Sequence, residues 1–252
     1  MINIILSGCN GKMGQVITRL AKEDGDINIV CGCDINTEST QGYPVYDDIN
    51  KFEGKADVII DFSHPNSFDN IVTYCKKTKT PVLMATTGLS PEQISALDEL
   101  SQDVAVFRSA NMSIGINLLI NLVKQAAVLL EDKFDIEIIE KHHNLKIDAP
   151  SGTALMIADE ISESLCTKPE YVYDRHSQRK KRDKKEIGLH AVRGGTIVGE
   201  HEVLFAGNNE MIEIKHTATS KEVFAEGSLR GAKFLAGRCP GMYSMKDLIE
   251  LN

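Results

Sequence analysis

From its first residues to residue 111 the chain alternates short apolar runs with amphipathic stretches, and few folds accept that pattern. The apolar runs are INIIL (2–6), INIVCGCD (27–34), ADVIIDF (56–62), PVLMAT (81–86) and VAVF (104–107). Each is too short for a helix and is bounded by turn residues, which reads as a buried strand. Between them QVITRLAKE (15–23), NSFDNIVTYCKK (66–77) and PEQISALDELSQ (91–102) read as helices. Pro65 and the Ser90-Pro91 pair mark two helix starts, because proline at the first helical position gives up no hydrogen bond. Strands joined through helices lie parallel, so the expected fold is α/β, a Rossmann-type doubly wound parallel sheet.

After that the pattern changes. SIGINLLINLVKQAAVLLEDK (113–133) is one long apolar-periodic helix, FDIEIIE (134–140) alternates like a strand, and TALMIADEIS (153–162) is helical again. EIGLHAVR, TIVGEHEVLFA and MIEIKHTAT carry strand patterns to about residue 220, and VFAEGSLRGAKFLAG (223–237) and MKDLIEL (245–251) return to helix. Runs of strands with few helices point to an α+β domain with its own open sheet. The expected division is a dinucleotide-binding domain, 1–111 completed by 221–252, and a second domain, 112–220.

Composition narrows the function. A net charge of −8 argues against a general nucleic-acid or membrane-surface partner, and no apolar run is long enough to span a bilayer. MINIILSGCNGKMG reads as a first strand rather than a leader, and the six cysteines lack a C-x-x-C pair. Reduced thiols and a cytoplasmic location are expected, with Cys31 and Cys33 as packing residues on one strand face. The basic run RHSQRKKRDKKE (175–186) reads as a solvated loop that could add positive potential to a nearby cleft.

Gly8-Cys9-Asn10-Gly11-Lys12-Met13-Gly14 sits between the first strand and the first helix. Backbone amides there can approach a pyrophosphate at a helix start. The G-x-x-G-x-x-G spacing departs from the usual fingerprint and says little alone. Its context says more: Asp34 closes the second strand, where an acidic residue commonly binds the adenosine ribose. Two further loops, Ala85-Thr86-Thr87-Gly88 and Ser109-Ala110-Asn111-Met112, fall at strand ends, where ligands bind in such sheets. Asp34 would repel a 2′-phosphate and Ile35 supplies no arginine to hold one, while Lys12 offers a cation from the other side. Both NADH and NADPH are expected to work, with NADH modestly preferred.

The stretch EKHHNLKIDAPSGTA (140–154) carries the remaining chemistry. Adjacent strand residues point to opposite faces, so His142 and His143 need not share a role. No further ligands follow at metal-site spacing, and no metal is expected. Ser151 is placed to cap the next helix, leaving the amides of Gly152 and Thr153 to face an anion beside the Lys146 ammonium. The segment could then hold a carboxylate substrate and protonate it from His142 or Lys146, across a cleft from a nicotinamide.

HHNLKIDAPSGTA closely resembles the signature of the dihydrodipicolinate reductase family. The resemblance runs almost the whole chain, through GCNGKMG, DVIIDFSHP, ATTG, SANMSIGINLL, VRGGTIVGEHEVLF and GMYSMKDLI. It implies a two-domain homotetramer assembled through the sheets of the second domain. The implied reaction is reduction of 4-hydroxy-tetrahydrodipicolinate, via dihydrodipicolinate, to tetrahydrodipicolinate in diaminopimelate and lysine synthesis. It also implies His142 as proton donor and acceptor, Lys146 as proton donor, and His143, Gly152 and Thr153 as substrate contacts. Cofactor contacts would come from Gly8 to Met13, Asp34, Ala85 to Thr87 and Ser109 to Met112. Ala85 stands where the family often has glycine, a methyl expected to shift the fit without abolishing binding. Two other readings remain: another Rossmann oxidoreductase of an amino- or keto-acid, which lacks a reason for the anion site at 146–153, and a dinucleotide sensor, which needs no histidine–lysine pair.

Overall fold

The apolar runs of the N-terminal region form parallel strands buried on both faces, for the reason that makes them apolar at consecutive positions. The structure is a computed structural model, and it describes residues 1–131 and 133–250. Strands β1 (Ile2–Ser7), β2 (Ile27–Cys33), β3 (Val45–Tyr46), β4 (Val58–Asp61), β5 (Val82–Met84) and β6 (Ala105–Arg108) alternate with α1 (Lys12–Glu23), α2 (Phe68–Thr78) and α3 (Pro91–Leu100). Ile4, Leu6, Ile60, Leu83 and Phe107 face α1, packing with Ile17 and Ala21. Ile5, Ile59, Val82, Met84 and Val106 face the other way, toward Phe68, Ile71, Leu97 and Leu100 of α2 and α3. Full burial of each such side chain contributes ~1.5–3 kcal/mol.

Helix starts follow local chemistry. Ser90 caps α3 in a reciprocal box with Gln93, with Pro91 in the first turn. Pro65 opens a single 3-10 turn, Pro65–Ser67, and α2 begins after it. Helix α1 begins at Lys12, inside the glycine loop and earlier than expected, because Gly11 in extended conformation is its N-cap.

The chain continues through α4 (Ile114–Leu130), β7 (Asp135–His142), α5 (Gly152–Ser164), β8 (Glu170–Val172), β9 (Glu186–Arg193), β10 (Gly199–Ala206) and β11 (Met211–Ala218). It ends with α6 (Glu222–Leu235), β12 (Gly241–Tyr243) and α7 (Met245–Glu250). Residue 132 of the expected helix 113–133 and residue 251 of the expected helix 245–251 lie outside the described residues. The chain divides into two units, residues 1–114 with 222–252, and residues 115–221.

In the first unit the sheet order is β12-β6-β5-β4-β1-β2-β3, all parallel. The order reverses direction between β1 and β4, the place where such sheets open a crevice at their carboxyl edge. Helices α6 and α7 pack on the α1 face through Ala225, Leu229, Ala232, Leu235 and Leu248. The sequence pattern missed β3, β8 and β12, which are two or three residues long.

The second unit has a mixed sheet, β11-β10-β7-β9-β8, with β7 antiparallel to β10 and parallel to β9. Its core joins Ile136, Ile138, Leu189, Val203 and Phe205 of the sheet to α4 and α5. Burial along β7 alternates strictly, so Glu140 and His142 share the face of Ile136 and Ile138. The basic run is only in part the solvated loop expected. Arg175 and Arg182 are drawn onto carboxylates at the sheet: Arg175 pairs with Glu186 (2.7 Å) and Glu137 (3.1 Å), and Arg182 with Glu137 (2.9 Å) and Asp135 (3.1 Å). Those carboxylates need countercharge near a half-buried surface, and the loop supplies it. No described helix is long and apolar enough to cross a membrane.

Candidate active site

Because the seven strands are parallel, the loops after β1, β4, β5 and β6 all leave the same edge of their sheet. Gly8 adopts φ +79°, and a Cβ there would lie 2.5 Å from the Phe62 carbonyl oxygen. A Cβ on Gly14 would lie 2.2 Å from the carbonyl oxygen of Gly8, so the first turn of α1 closes onto the loop only with glycine there. No side chain caps α1, and its positive end faces the loop, as an anion site requires.

Asp34 lies just past the end of β2, and its carboxylate accepts hydrogen bonds from the Asn10 amide (3.0 Å) and the Asn36 amide (3.1 Å). The Asn10 side chain donates to the Asn36 carbonyl (2.7 Å), which ties the glycine loop to the chain after β2. A cavity of about 230 Å³ opens beside them, lined by Gly8, Gly11, Asp34, Asp47, Asp48 and His64 among others. Ile35, also on the lining, is 97% exposed. Lys12 opens α1 with its side chain exposed, and Met13 leans on the core. Cys9 is buried, its thiol pushed up to about 11 by burial and then by Asp34, so its backbone is what it offers a ligand.

The next two loops are tied to their neighbours. Asp61 ends β4 almost fully buried and accepts from the hydroxyls of Ser63 (2.6 Å) and Thr86 (2.6 Å). The Ala85 amide donates to the Asp61 carbonyl (3.0 Å), and the Ala85 methyl leans on the core, which accommodates the departure from glycine. Thr87 follows at the surface side of the turn. After β6 the Ser109 hydroxyl donates to the Asn111 carbonyl (2.9 Å), and Asn111 accepts from the Ser113 amide (2.8 Å). Ala110 is exposed, while Asn111 and Met112 are buried, so the latter two can serve a ligand chiefly through backbone.

The second unit gathers a different set of groups where β7 meets α5. His142, the last residue of β7, is 9% exposed. Its Nδ1 lies 2.6 Å from Glu140, whose carboxylate also receives both terminal nitrogens of Arg193 (2.7 Å each) and the Ser151 amide (3.0 Å). Burial pushes the Glu140 carboxyl up, but the hydrogen bonds from Arg193 and His142 outweigh it and hold the group below the ordinary range. Arg193 also donates to the Asp148 carbonyl (2.6 Å), fixing the loop between β7 and α5.

The Ser151 hydroxyl accepts from the Ala154 amide (3.1 Å) as the cap of α5, and its own proton is free to reach Nε2 of His201 at 3.1 Å. Burial first, and the neighbouring His142 second, push His201 down to about 4, so it is neutral near pH 7. The rings of His142 and His201 meet edge to face, 5.2 Å between centroids. His143, next along the chain, is half-buried.

Lys146 bonds Asp148 at 2.8 Å. That bond is the chief reason the Asp148 carboxyl sits below its usual range, with the Gly152 amide a lesser one. The exposed Asp148 carboxylate thus sits on the ammonium expected to meet an incoming anion. Thr153 follows Gly152 in the first turn of α5. So β7 and α5 bring His142, His143, Lys146, Gly152 and Thr153 into one stretch of the second unit, and the cofactor candidates all lie in the first.

Sequence reasoning missed Glu140, Arg193, His201, Asp61 and Asp148. Glu140 was legible, being two residues before His142 and so on the same strand face. Arg193 and His201 arrive through strand register, Arg193 opposite His142 and His201 opposite Glu140, which local pattern does not encode.

Comparison with known proteins places the whole chain. Residues 2–112 match the family described as "Dihydrodipicolinate reductase, N-terminus", and residues 115–249 its C-terminus. A curated protein named 4-hydroxy-tetrahydrodipicolinate reductase from Caldanaerobacter subterraneus subsp. tengcongensis is 56% identical over 99% of both chains. One of the same name from Clostridium tetani is 50% identical over 99% of this chain and 98% of its own. Among solved structures, a dipicolinate-bound dihydrodipicolinate reductase from a Paenisporosarcina species superposes with TM-score 0.80 at 23% identity, covering 97% of each chain. A probable dehydrogenase from Thermotoga maritima shares the fold at TM-score 0.65 and 13% identity, covering 98% of this chain and 92% of its own. With both halves matched in order and full-length relatives at half identity or better, the chain belongs to the dihydrodipicolinate reductase family.

Proposed function

We propose that this chain reduces 4-hydroxy-tetrahydrodipicolinate, by way of dihydrodipicolinate, to tetrahydrodipicolinate with a reduced nicotinamide dinucleotide, in diaminopimelate and lysine synthesis. The observation that carries this reading is the cluster at the β7–α5 junction: an imidazole on a buried carboxylate, and an ammonium in the loop that leads into α5. Water leaves the substrate, and one hydride and one proton are added.

The first unit fits the dinucleotide. The uncapped start of α1 suits its pyrophosphate, and the cavity at Asp34 and Ile35 suits its adenosine. Gly8 to Met13, Asp34, Ala85 to Thr87 and Ser109 to Met112 would hold it. When bound it supplies the hydride. Three carboxylates around the cavity, Asp34, Asp47 and Asp48, disfavour a 2′-phosphate. NADH is accordingly the modestly preferred reductant, with NADPH also accepted.

In the second unit a substrate carboxylate takes the place of Asp148 on Lys146, with the Gly152 amide, Thr153 and His143 completing its contacts. Lys146 donates a proton, and His142 gives and regains one. Assembly is a homotetramer through the second unit's sheet, a reading supported by the exposed Val192 and Met211 on β9 and β11; light scattering checks it. The test of the chemistry is Lys146→Ala and His142→Ala. Each is expected to lower kcat by ~10²–10⁴ while dinucleotide affinity, titrated separately, stays near that of the parent. Near-normal turnover in either variant would remove that residue from its role.

A further inference from the structure

Glu140 presents a carboxylate with every acceptor site engaged. One oxygen receives the Ser151 amide and one Arg193 nitrogen, and the other receives the second Arg193 nitrogen and Nδ1 of His142. Three of those four partners are fixed donors. A buried carboxylate paired with arginine in a fork keeps its charge, so the fourth contact needs a donor as well. Nδ1 of His142 therefore carries hydrogen in both the neutral and the charged ring. The only atom left to gain and lose a proton is Nε2. A Cβ on Gly199 would lie 3.2 Å from Nε2, so glycine at that position keeps space beside that atom.

We infer that Glu140, braced by Arg193, is a positioning residue for proton transfer, which fixes the tautomer of His142 and makes Nε2 its proton-exchanging atom. This rests on the reading of His142 as a proton donor and acceptor. Glu140 touches no substrate in this account; it acts through the ring, as buried carboxylates do in other acid–base sites. The charged and titratable groups around the ring are Glu140 on its own strand, Arg193 on β9, His201 on β10, and Lys146 and Asp148 in the following loop. Of these, Glu140 alone has its carboxylate on Nδ1.

Three measurements test it. Nitrogen-15 spectra of histidine-labelled protein, with the His142 signal assigned by its loss in His142→Ala, are expected to show a protonated Nδ1 and a bare Nε2 at pH 8. An Nε2–H tautomer would overturn the inference, and this result needs no turnover. Glu140→Gln is expected to lower kcat by about 10²-fold and to move the pH profile of kcat to lower pH by about one unit. Its affinity for pyridine-2,6-dicarboxylate and for dinucleotide should stay within about twofold of the parent's, with Glu140→Asp recovering part of the rate. Gly199→Ala crowds Nε2 without touching Glu140, and should slow turnover while leaving the Nδ1 signal in place. A Glu140→Gln pH profile superposing on the parent's, or a Gly199→Ala enzyme of normal rate, would sink the inference. Normal turnover in His142→Ala would sink the assigned acid instead, and the tautomer result would stand apart from it. Should Glu140→Gln fail to fold, the parent's tautomer decides.

Discussion

Gly152 is a glycine with no internal reason to be one. It opens α5 without a positive φ, and a Cβ built there meets no atom within 4 Å. Replacing it by alanine should leave the fold intact and even gain up to ~0.5–1 kcal/mol, because alanine loses less backbone entropy in a helix. For a chain of this size that gain is a rise in Tm of about 2–4 °C at most. Binding should move the other way. If the amide of Gly152 receives a substrate carboxylate, the added methyl crowds that approach and puts a charge-assisted hydrogen bond at risk, worth ~1.5–3 kcal/mol or about 10- to 150-fold in Kd. The assay pairs thermal melting with calorimetric titration of pyridine-2,6-dicarboxylate. A Gly152→Ala protein that melts no lower and binds at least about tenfold more weakly is the expected result. Unchanged affinity in an intact protein would refute the cradle at the start of α5, and a large drop in Tm would mean that the glycine serves the fold after all.

Other perturbations separate the remaining parts. His201, depressed from 6.5 to about 4 by burial, binds its proton later in the folded than in the unfolded chain. Its stabilising contribution is therefore full above pH 6.5 and is lost as pH falls toward 4. The loss is about 3 kcal/mol, and His201→Gln should flatten the Tm–pH curve across that window; an unchanged slope would remove the assignment. Gly14→Ala places a methyl 2.2 Å from the Gly8 carbonyl oxygen, and should cost ~1–3 kcal/mol and weaken dinucleotide binding with little effect on dicarboxylate affinity. Gly11→Ala meets that oxygen at 3.3 Å and should cost the fold less than Gly14→Ala does. Asp34→Ser should shift the kcat/KM ratio toward NADPH, and lower NADH affinity as well because the bonds to Asn10 and Asn36 go with it. A parent enzyme already preferring NADPH by about tenfold would overturn that account.

The parallel sheet and the chemistry-bearing stretch were legible in the sequence for a shared reason. Both rest on local patterns: apolar runs between helices, and a cap-and-amide motif within fifteen residues of chain. What local pattern leaves out is register. Arg193 and His201 reach Glu140 and His142 only because β9 and β10 flank β7 in a particular alignment. Short edge strands escaped for the opposite reason: Val45–Tyr46 and Gly241–Tyr243 are held by neighbours rather than by their own periodicity. Asp148, in the loop before α5, pairs with Lys146. In a chain with 36 carboxylates, sequence spacing cannot say which one folds back onto a lysine.

The most direct test of the central claim is a turnover measurement on the purified protein. Reduced dinucleotide is mixed with the freshly formed condensation product of pyruvate and aspartate semialdehyde, and absorbance of the reduced nicotinamide is followed near 340 nm. Rapid loss of absorbance that requires the condensation product, and that pyridine-2,6-dicarboxylate inhibits competitively, is the expected result. Steady absorbance with that substrate, or equal loss with simple keto-acids, would contradict it.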